Sequence, residues 1–400
     1  MPAARILILT SGPLSRNPRP LKEALTLARH GYTVTVITGF EGARLVAEDE
    51  ALVTGSGITL LPLLPPPGFR GFTRRLRTAL ARRAVYHFGW QIASALGPAP
   101  ALLHVARSIA SDLVIAHNET ALWAATRLHR SGRRVAADLE DWYSEDLLPA
   151  ARRARPLRLL RALEHAALNT FDLAFTTSHA LAAALQKTHG GRLATVVPNT
   201  FPLQPLAPPA LNPTSSLVWF SQTVGTGRGL ESFLRAWAQI AAPSRLTLVG
   251  RCADPYRQSL CALVRPEQLA RLVFVDFVAP QDLPGLLARH DIGLALEPHE
   301  PLNKELTTSN KIYQYLNAGL AVIATPTAGQ REVFTQAPAI GLIRALDDPA
   351  ATAVALDAFV GDRARLLAAR QAARTAAETR FSWEQTAPAL LDAVAAALAR

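Results

Sequence analysis

Lysine is scarce in this sequence. Lys22, Lys187, Lys304 and Lys311 are the only four, although the formal net charge is +11. The positive excess is therefore arginine, and it suggests an anionic partner such as phosphate, nucleic acid or an anionic membrane. A coding bias toward arginine and alanine explains the excess equally well. Nucleic acid is set aside, because no interleaved aromatic–basic motif or recognised binding module is present. Cysteine is scarcer still. Cys252 and Cys261 lie nine positions apart with no histidine nearby, which matches no zinc spacing, and a reducing cytoplasm is the simplest reading. No apolar run approaches the roughly 18 residues of a membrane span. The run at Ile6–Leu9 is short and has no cleavage-like flank, so it reads as a first buried strand rather than a signal peptide.

What is present is apolar surface in quantity. Hydrophobic residues make up 49% of the 400 and charged ones only 18%, enough to bury two cores of ordinary size. Short apolar runs alternate with helical stretches from end to end. "RILILT" (5–10), "YTVTVIT", "DLVIA" (112–116), "RRVAADL" (133–139), "FDLAFTTS" (171–178) and "LATVVPN" (193–199) read as strands. Between the first two, residues 18–30 place Leu21, Leu25 and Ala28 at helical spacing, with Gly31 as a stop. Such alternation predicts a parallel sheet covered on both faces. Five prolines in "FPLQPLAPPALNPTS" (201–215) interrupt it. The alternation resumes at "LVWFS" and continues through "RLTLVG", "LVFVDF", "DIGLALEP" and "LAVIAT", and the tail reads as a long final helix. The expected organisation is α/β throughout. A Rossmann-like domain over 1–200 precedes a proline-rich linker at 201–215. A second such domain covers 216–375, and a C-terminal helix covers 376–400. Ligands are expected where strands end, in a cleft between the two domains.

Several loops at strand ends carry chemistry. In "NKIYQYLNAGLAVIATPTAG" (310–329) a helix starts near Lys311, after the capping candidates of "TTSN", and stops at Gly319. A lysine there opposes the helix dipole unless an anion is bound. "SQTVGTGRGLESF" (221–233) is a glycine-rich strand-to-helix turn. Gly227 and Gly229 allow close backbone approach and Arg228 lies near the helix start. It reads as a phosphate cradle or as a plain flexible turn, since the spacing fits neither common phosphate-loop pattern. Arg16, Asn17 and Arg19 in "SGPLSRNPRP" either touch phosphate or an acceptor, or simply open a helix. His117, followed by Asn118 and Glu119, ends a strand and can orient a hydroxyl or move a proton. "ADLEDWYSED" (137–146) gathers Asp138, Glu140, Asp141, Glu145 and Asp146. These acids would meet sugar hydroxyls, act as a base or balance arginines. Residues 69–90 form a basic amphipathic helix, suited to an anionic membrane or to packing on its own domain.

Together these segments resemble the GT-B glycosyltransferases, specifically the family-4-like group (glycosyltransferase group 1) that uses nucleotide sugars. "SRNPRPLKEALTLARHGYTVTVIT" is similar to that group's opening strand–loop–helix–strand, and "DLVIAHNETAL" to its segment with a histidine near the donor sugar. "ADLEDWYSED" resembles a segment in which histidine often stands where Glu140 is, and "VVPNT" one that usually ends in glycine. "GTGRGLESFLRAW" resembles the diphosphate-binding turn, and residues 310–334 the helix that holds ribose and phosphates. "RFSWEQTA" is similar to the start of the final helix, which usually crosses back to the first domain.

The resemblance implies two facing Rossmann-like domains and transfer of a sugar from a nucleoside-diphosphate sugar to a glycan, polysaccharide or lipid-linked acceptor. It further implies retention of configuration, no metal and no cofactor. A cytoplasmic protein is expected, on the inner face of a membrane if residues 69–90 bind one. His117, Arg228 and Lys311 would be catalytic. Gly227, Gly229, Ser309, Asn310, Gln314 and Glu305 would bind the donor. Arg16, Asn17, Arg19, Asn118, Glu140 and Asp141 would face the acceptor or sugar. Three positions depart from the group's pattern. Gln314 and Leu306 stand where it often has two glutamates eight apart, with Glu305 adjacent to the latter, and Thr223 stands where it has an arginine. A nucleotide-sugar epimerase of the same fold and an inactive binding protein are the alternatives.

Overall fold

The computed structural model describes residues 3–39, 42–64, 68–205 and 209–399. The chain forms two compact units: Met1–Val197 with Ala387–Arg400, and Pro198–Thr386.

In the first unit, seven parallel strands lie in the order β3-β2-β1-β4-β5-β6-β7. They are β1 Arg5–Leu9, β2 Thr33–Gly39, β3 Thr59–Leu63, β4 Leu113–His117, β5 Val135–Leu139, β6 Leu173–Thr176 and β7 Thr195–Val196. Every residue of β4 and β5 is buried, as a sheet covered on both faces requires. The second unit has six parallel strands in the order β10-β9-β8-β11-β12-β13. These are β8 Ser215–Val224, β9 Ser244–Cys252, β10 Leu272–Val275, β11 Ile292–Ala295, β12 Ala321–Ala324 and β13 Gly341–Ile343. In both sheets the strand order reverses beside the unit's first strand, between β1 and β4 and between β8 and β11. Loops diverge there and open a crevice at the strands' carboxyl ends.

Three sequence readings change. The run 193–199 yields only Thr195–Val196 as strand, because Pro198 cannot extend the ladder. β3 was not anticipated: its Pro62 argues against a central strand, and the structure places it at a sheet edge. Helix Pro18–Arg29 forms as expected, but Leu21, Leu25 and Ala28 are only half-buried. Its buried residues are Arg19, Pro20, Lys22, Glu23, Ala24, Thr26 and Leu27, so the helix turns three charged side chains inward.

The described part of the proline-rich stretch is fastened to the second unit; residues 206–208 lie outside the described residues. The Gln204 N–H donates to Asn317 Oδ1 at 2.9 Å, and Asn317 Nδ2 donates to the Pro202 carbonyl at 2.7 Å. Phe201 bridges Ser382, and the Trp383 N–H donates to the Phe201 carbonyl at 2.9 Å. Residues 376–379 end helix Arg363–Thr379; the final helix is Trp383–Ala399. From Ala387 onward it belongs to the first unit, where Arg134 donates to the Leu398 carbonyl.

Helix Asn310–Asn317 is seated by one close approach. Its Tyr315 ring lies over Gly293 of β11, and its hydroxyl donates to the Leu294 carbonyl at 3.1 Å. A β-carbon at position 293 would fall 2.1 Å from that ring. Gly293→Ala is therefore expected to destabilise the second unit by roughly 2–3 kcal/mol through overpacking, read as a lowered urea midpoint at constant slope.

Candidate functional site

In the second unit, the strand-order reversal gathers three loops. The turn after β8 carries Gly227 and Gly229, both left-handed at φ 70° and 73°. A β-carbon on Gly229 would lie 3.1 Å from the Leu296 β-carbon, so glycine lets this turn approach the loop leaving β11. Helix Leu230–Trp237 starts here, and half-buried Arg228 precedes it with no hydrogen-bond or ion-pair partner among the described residues. Glu297 follows β11. Its carboxylate is nearly sealed at 3% exposure and accepts from Lys311 Nζ at 2.7 Å and Ser309 Oγ at 2.8 Å. Lys304 Nζ stands 3.4 Å from its other oxygen.

The protein itself thus supplies the first anion at this helix start. Burial pushes the Glu297 carboxyl upward, but Lys311 and Lys304 outweigh it and hold the group at about 2. Lys311 is lowered, first by burial and then by Lys304 and Arg228, against the pull of Glu297. Two lysines around one carboxylate leave a positive charge in excess, and Arg228, close enough to lower Lys311, adds a second. Glu297 escaped the sequence reading; its only signal was an acid closing the apolar run "DIGLALEP".

The other donor-side residues divide. Asn310 is exposed, and Gln314, one turn into the helix, is half-buried with no side-chain partner among the described residues. Glu305 turns elsewhere. It accepts from the Ala328 N–H at 3.0 Å and lies 2.5 Å from His299 Nδ1, capping the start of helix Ala328–Gln336.

The first unit's reversal holds a buried charged network. His117 ends β4, with Nε2 3.2 Å from Glu23 Oε2 and Nδ1 3.2 Å from Glu140 Oε1. Arg19 Nε lies 2.6 Å from Asp138 Oδ2 and 3.3 Å from Glu23 Oε1, and its Nη1 donates to the Val197 carbonyl at 2.7 Å. Arg19, expected to face phosphate or an acceptor, is fully buried in this network. Asn118 is a structural pin. It sits at φ 62°, its Nδ2 donates to Thr10 Oγ1 at 3.1 Å, and its backbone N–H donates to the Tyr143 hydroxyl. That ties β4 to β1. Glu140 is partly exposed, Arg16 and Asp141 are exposed, and Asn17 is half-buried.

Glu23, His117 and Asp138 are close enough to share one cation. The charge is already matched, however. Burial lowers the His117 imidazole, but Glu23, Asp138 and Glu140 raise it to about 10, and an imidazolium has no lone pair for a metal. Burial, with Asp138, raises the Glu23 carboxyl to about 7. Both groups hold protons more tightly folded than unfolded. Their stabilisation is complete below their unfolded values and is lost as pH rises through about 7 and then about 10. Buried Lys22 has the opposite sign: burial lowers its amine to about 7, so its contribution grows with pH over the range in which that of His117 is lost. The wild-type melting temperature is therefore expected to fall between acid and neutral pH, as Glu23 ionises, and to level off above it, whereas that of His117→Gln should rise above neutral pH in a scanning-fluorimetry series.

Two family models match the chain. "Glycosyltransferase Family 4" covers residues 23–204 and "Glycosyl transferases group 1" covers residues 215–362. A search of curated proteins finds no match. Among solved structures, sucrose-phosphate synthase of Thermosynechococcus elongatus superposes with a TM-score of 0.72 at 17% identity, over 99% of each chain. HepE of Anabaena, in complex with UDP and glucose, superposes with a TM-score of 0.67 at 17% identity, over 98% of this chain and 100% of its own. A glycosyltransferase from Rickettsia africae gives 0.67 at 12% identity, over 100% of this chain and 99% of its own. With a family-4 model on its first parallel sheet, a group 1 model on its second, and GT-B enzymes as structural neighbours, the chain belongs to the GT-B glycosyltransferases of group 1 and family 4.

Proposed function

We propose that this glycosyltransferase takes its sugar from a nucleoside-diphosphate sugar bound at the β8/β11 reversal, and passes it with retention and without a metal to a glycan, polysaccharide or lipid-linked acceptor in the cytoplasm. The observation that carries the reading is the pairing of Lys304 and Lys311 with the single carboxylate of Glu297, with Arg228, unpaired among the described residues, close enough to lower Lys311. Its excess of positive charge suits a diphosphate. The N-terminal amides of helices Leu230–Trp237 and Asn310–Asn317 flank it, and such amides favour phosphate. HepE's complexes with UDP and UDP-glucose support a uridine donor.

The chemistry is electrostatic. As the bond between sugar and phosphate breaks, negative charge grows on the departing nucleoside diphosphate. Arg228 and Lys311 are fixed donors aimed at that charge, so they stabilise the transition state more than the ground state. Gln314 offers a neutral amide to ribose hydroxyls. In the first unit Glu140 is the member of the His117 network that reaches solvent. It is assigned to a sugar hydroxyl, with His117 holding it in place. These cations take the role a divalent ion would otherwise fill.

Calorimetric titration with UDP, GDP, ADP and dTDP, with and without EDTA, tests the reading. One nucleotide should bind equally in both conditions, and Arg228→Ala should weaken it at least tenfold, about 1.4 kcal/mol. Lys311→Ala should weaken it too, but it also strips a buried carboxylate of its partner, so Arg228→Ala is the cleaner variant. Failure of every nucleotide to bind, or unchanged affinity in both variants, overturns the assignment. Loss of binding in EDTA overturns metal independence.

A further inference from the structure

Helix Gly68–Phe88 of the first unit presents large apolar side chains to solvent. Its inward side is small: Ala81 and Val85 pack with Ala95 and Ile92. On the opposite side Phe72, Leu76 and Leu80 recur every fourth residue, at 54%, 44% and 56% exposure, and exposed Tyr86, Phe88 and Trp90 follow at the helix end. Of the large hydrophobic side chains exposed on the described residues, these six fall within 19 positions. A soluble surface helix would carry polar groups there.

The charge of the segment is equally one-sided. Residues 68–92 contain six arginines and no acid; the side chains of Phe69 and Arg70 lie outside the described residues. At 100° per residue, Arg75 and Arg82 fall on one side of the Phe72–Leu76–Leu80 stripe and Arg77 on the other, while Arg83 continues the stripe itself one turn beyond Leu80. Just past the helix, Gln91 Oε1 accepts from the Leu159 N–H at 3.0 Å. That joins the helix end to a second arginine-rich stretch, where Arg153 and Arg158 are exposed.

An apolar stripe flanked by arginines, with tyrosine and tryptophan at its end, matches the requirements of a helix lying flat in a headgroup layer. No helix among the described residues is long and apolar enough to cross a membrane. We propose that helix Gly68–Phe88 docks the enzyme on an anionic lipid bilayer. Leu76, Leu80 and Trp90 enter the acyl boundary, and Arg75, Arg77 and Arg83 meet lipid phosphates. Charge complementarity selects this occupant: a bilayer containing anionic lipid is negatively charged over its whole surface and accepts a convex helix without a matching groove. The proposal stands apart from the nucleotide assignment.

Flotation with vesicles decides it. The wild type should float with mixed phosphatidylcholine–phosphatidylglycerol vesicles and not with phosphatidylcholine alone. A Leu76→Ser, Leu80→Ser, Trp90→Ser variant and an Arg75→Gln, Arg77→Gln, Arg83→Gln variant should each lose at least about tenfold in partitioning, with unchanged circular dichroism and nucleotide binding. Absence of wild-type flotation, or equal flotation of all three proteins, overturns the proposal. So does a dimer that the apolar variant abolishes while vesicles are ignored, which would make this face a protein interface.

Discussion

In each unit a carboxylate beside the reversal of strand order is closed off from water among cations. Asp138 and Glu23 meet Arg19 and His117 in the first unit, and Glu297 meets Lys311 and Lys304 in the second. A buried charge without a partner is costly, and a buried pair is tolerated only with good geometry. Each group therefore fixes the others. The loops that diverge at the crevice are held by charge pairing rather than by apolar packing, and that keeps polar side chains in place where a ligand has to be met.

The two clusters differ in balance. The first is self-contained: Arg19 and His117 answer the carboxylates, and only Glu140 reaches solvent. The second is left positive, because one acid is shared by two lysines and Arg228 stands near Lys311 without an acid of its own among the described residues. An internally balanced network serves position. An unbalanced one attracts an anion from outside. The same fold, used twice in one chain, thus carries a charge-matched cluster in one copy and a positively charged one in the other.

The sheets were legible because parallel strands buried on both faces read as plain apolar runs, and β1, β4, β11 and β12 do. β3 was not, since an edge strand tolerates a proline that a central one cannot. Helix Asn310–Asn317 was legible from its spacing and from Gly319, whose φ of 66° closes it. Its partner was not: Glu297 and Lys311 are fourteen positions apart, and nothing local couples an acid ending a strand to a lysine opening a later helix. The inward face of helix Pro18–Arg29 was misread for a related reason. Periodicity places apolar residues inside, whereas here long-range pairing places charge inside.

The first unit borrows its last segment from the far end of the chain, while the second runs uninterrupted from Pro198 to Thr386. During synthesis the second unit can be finished while the first still lacks the residues from Ala387 onward. Domains generally fold in the order they are made. In this protein the unit begun first is completed last, only when the final helix has left the ribosome.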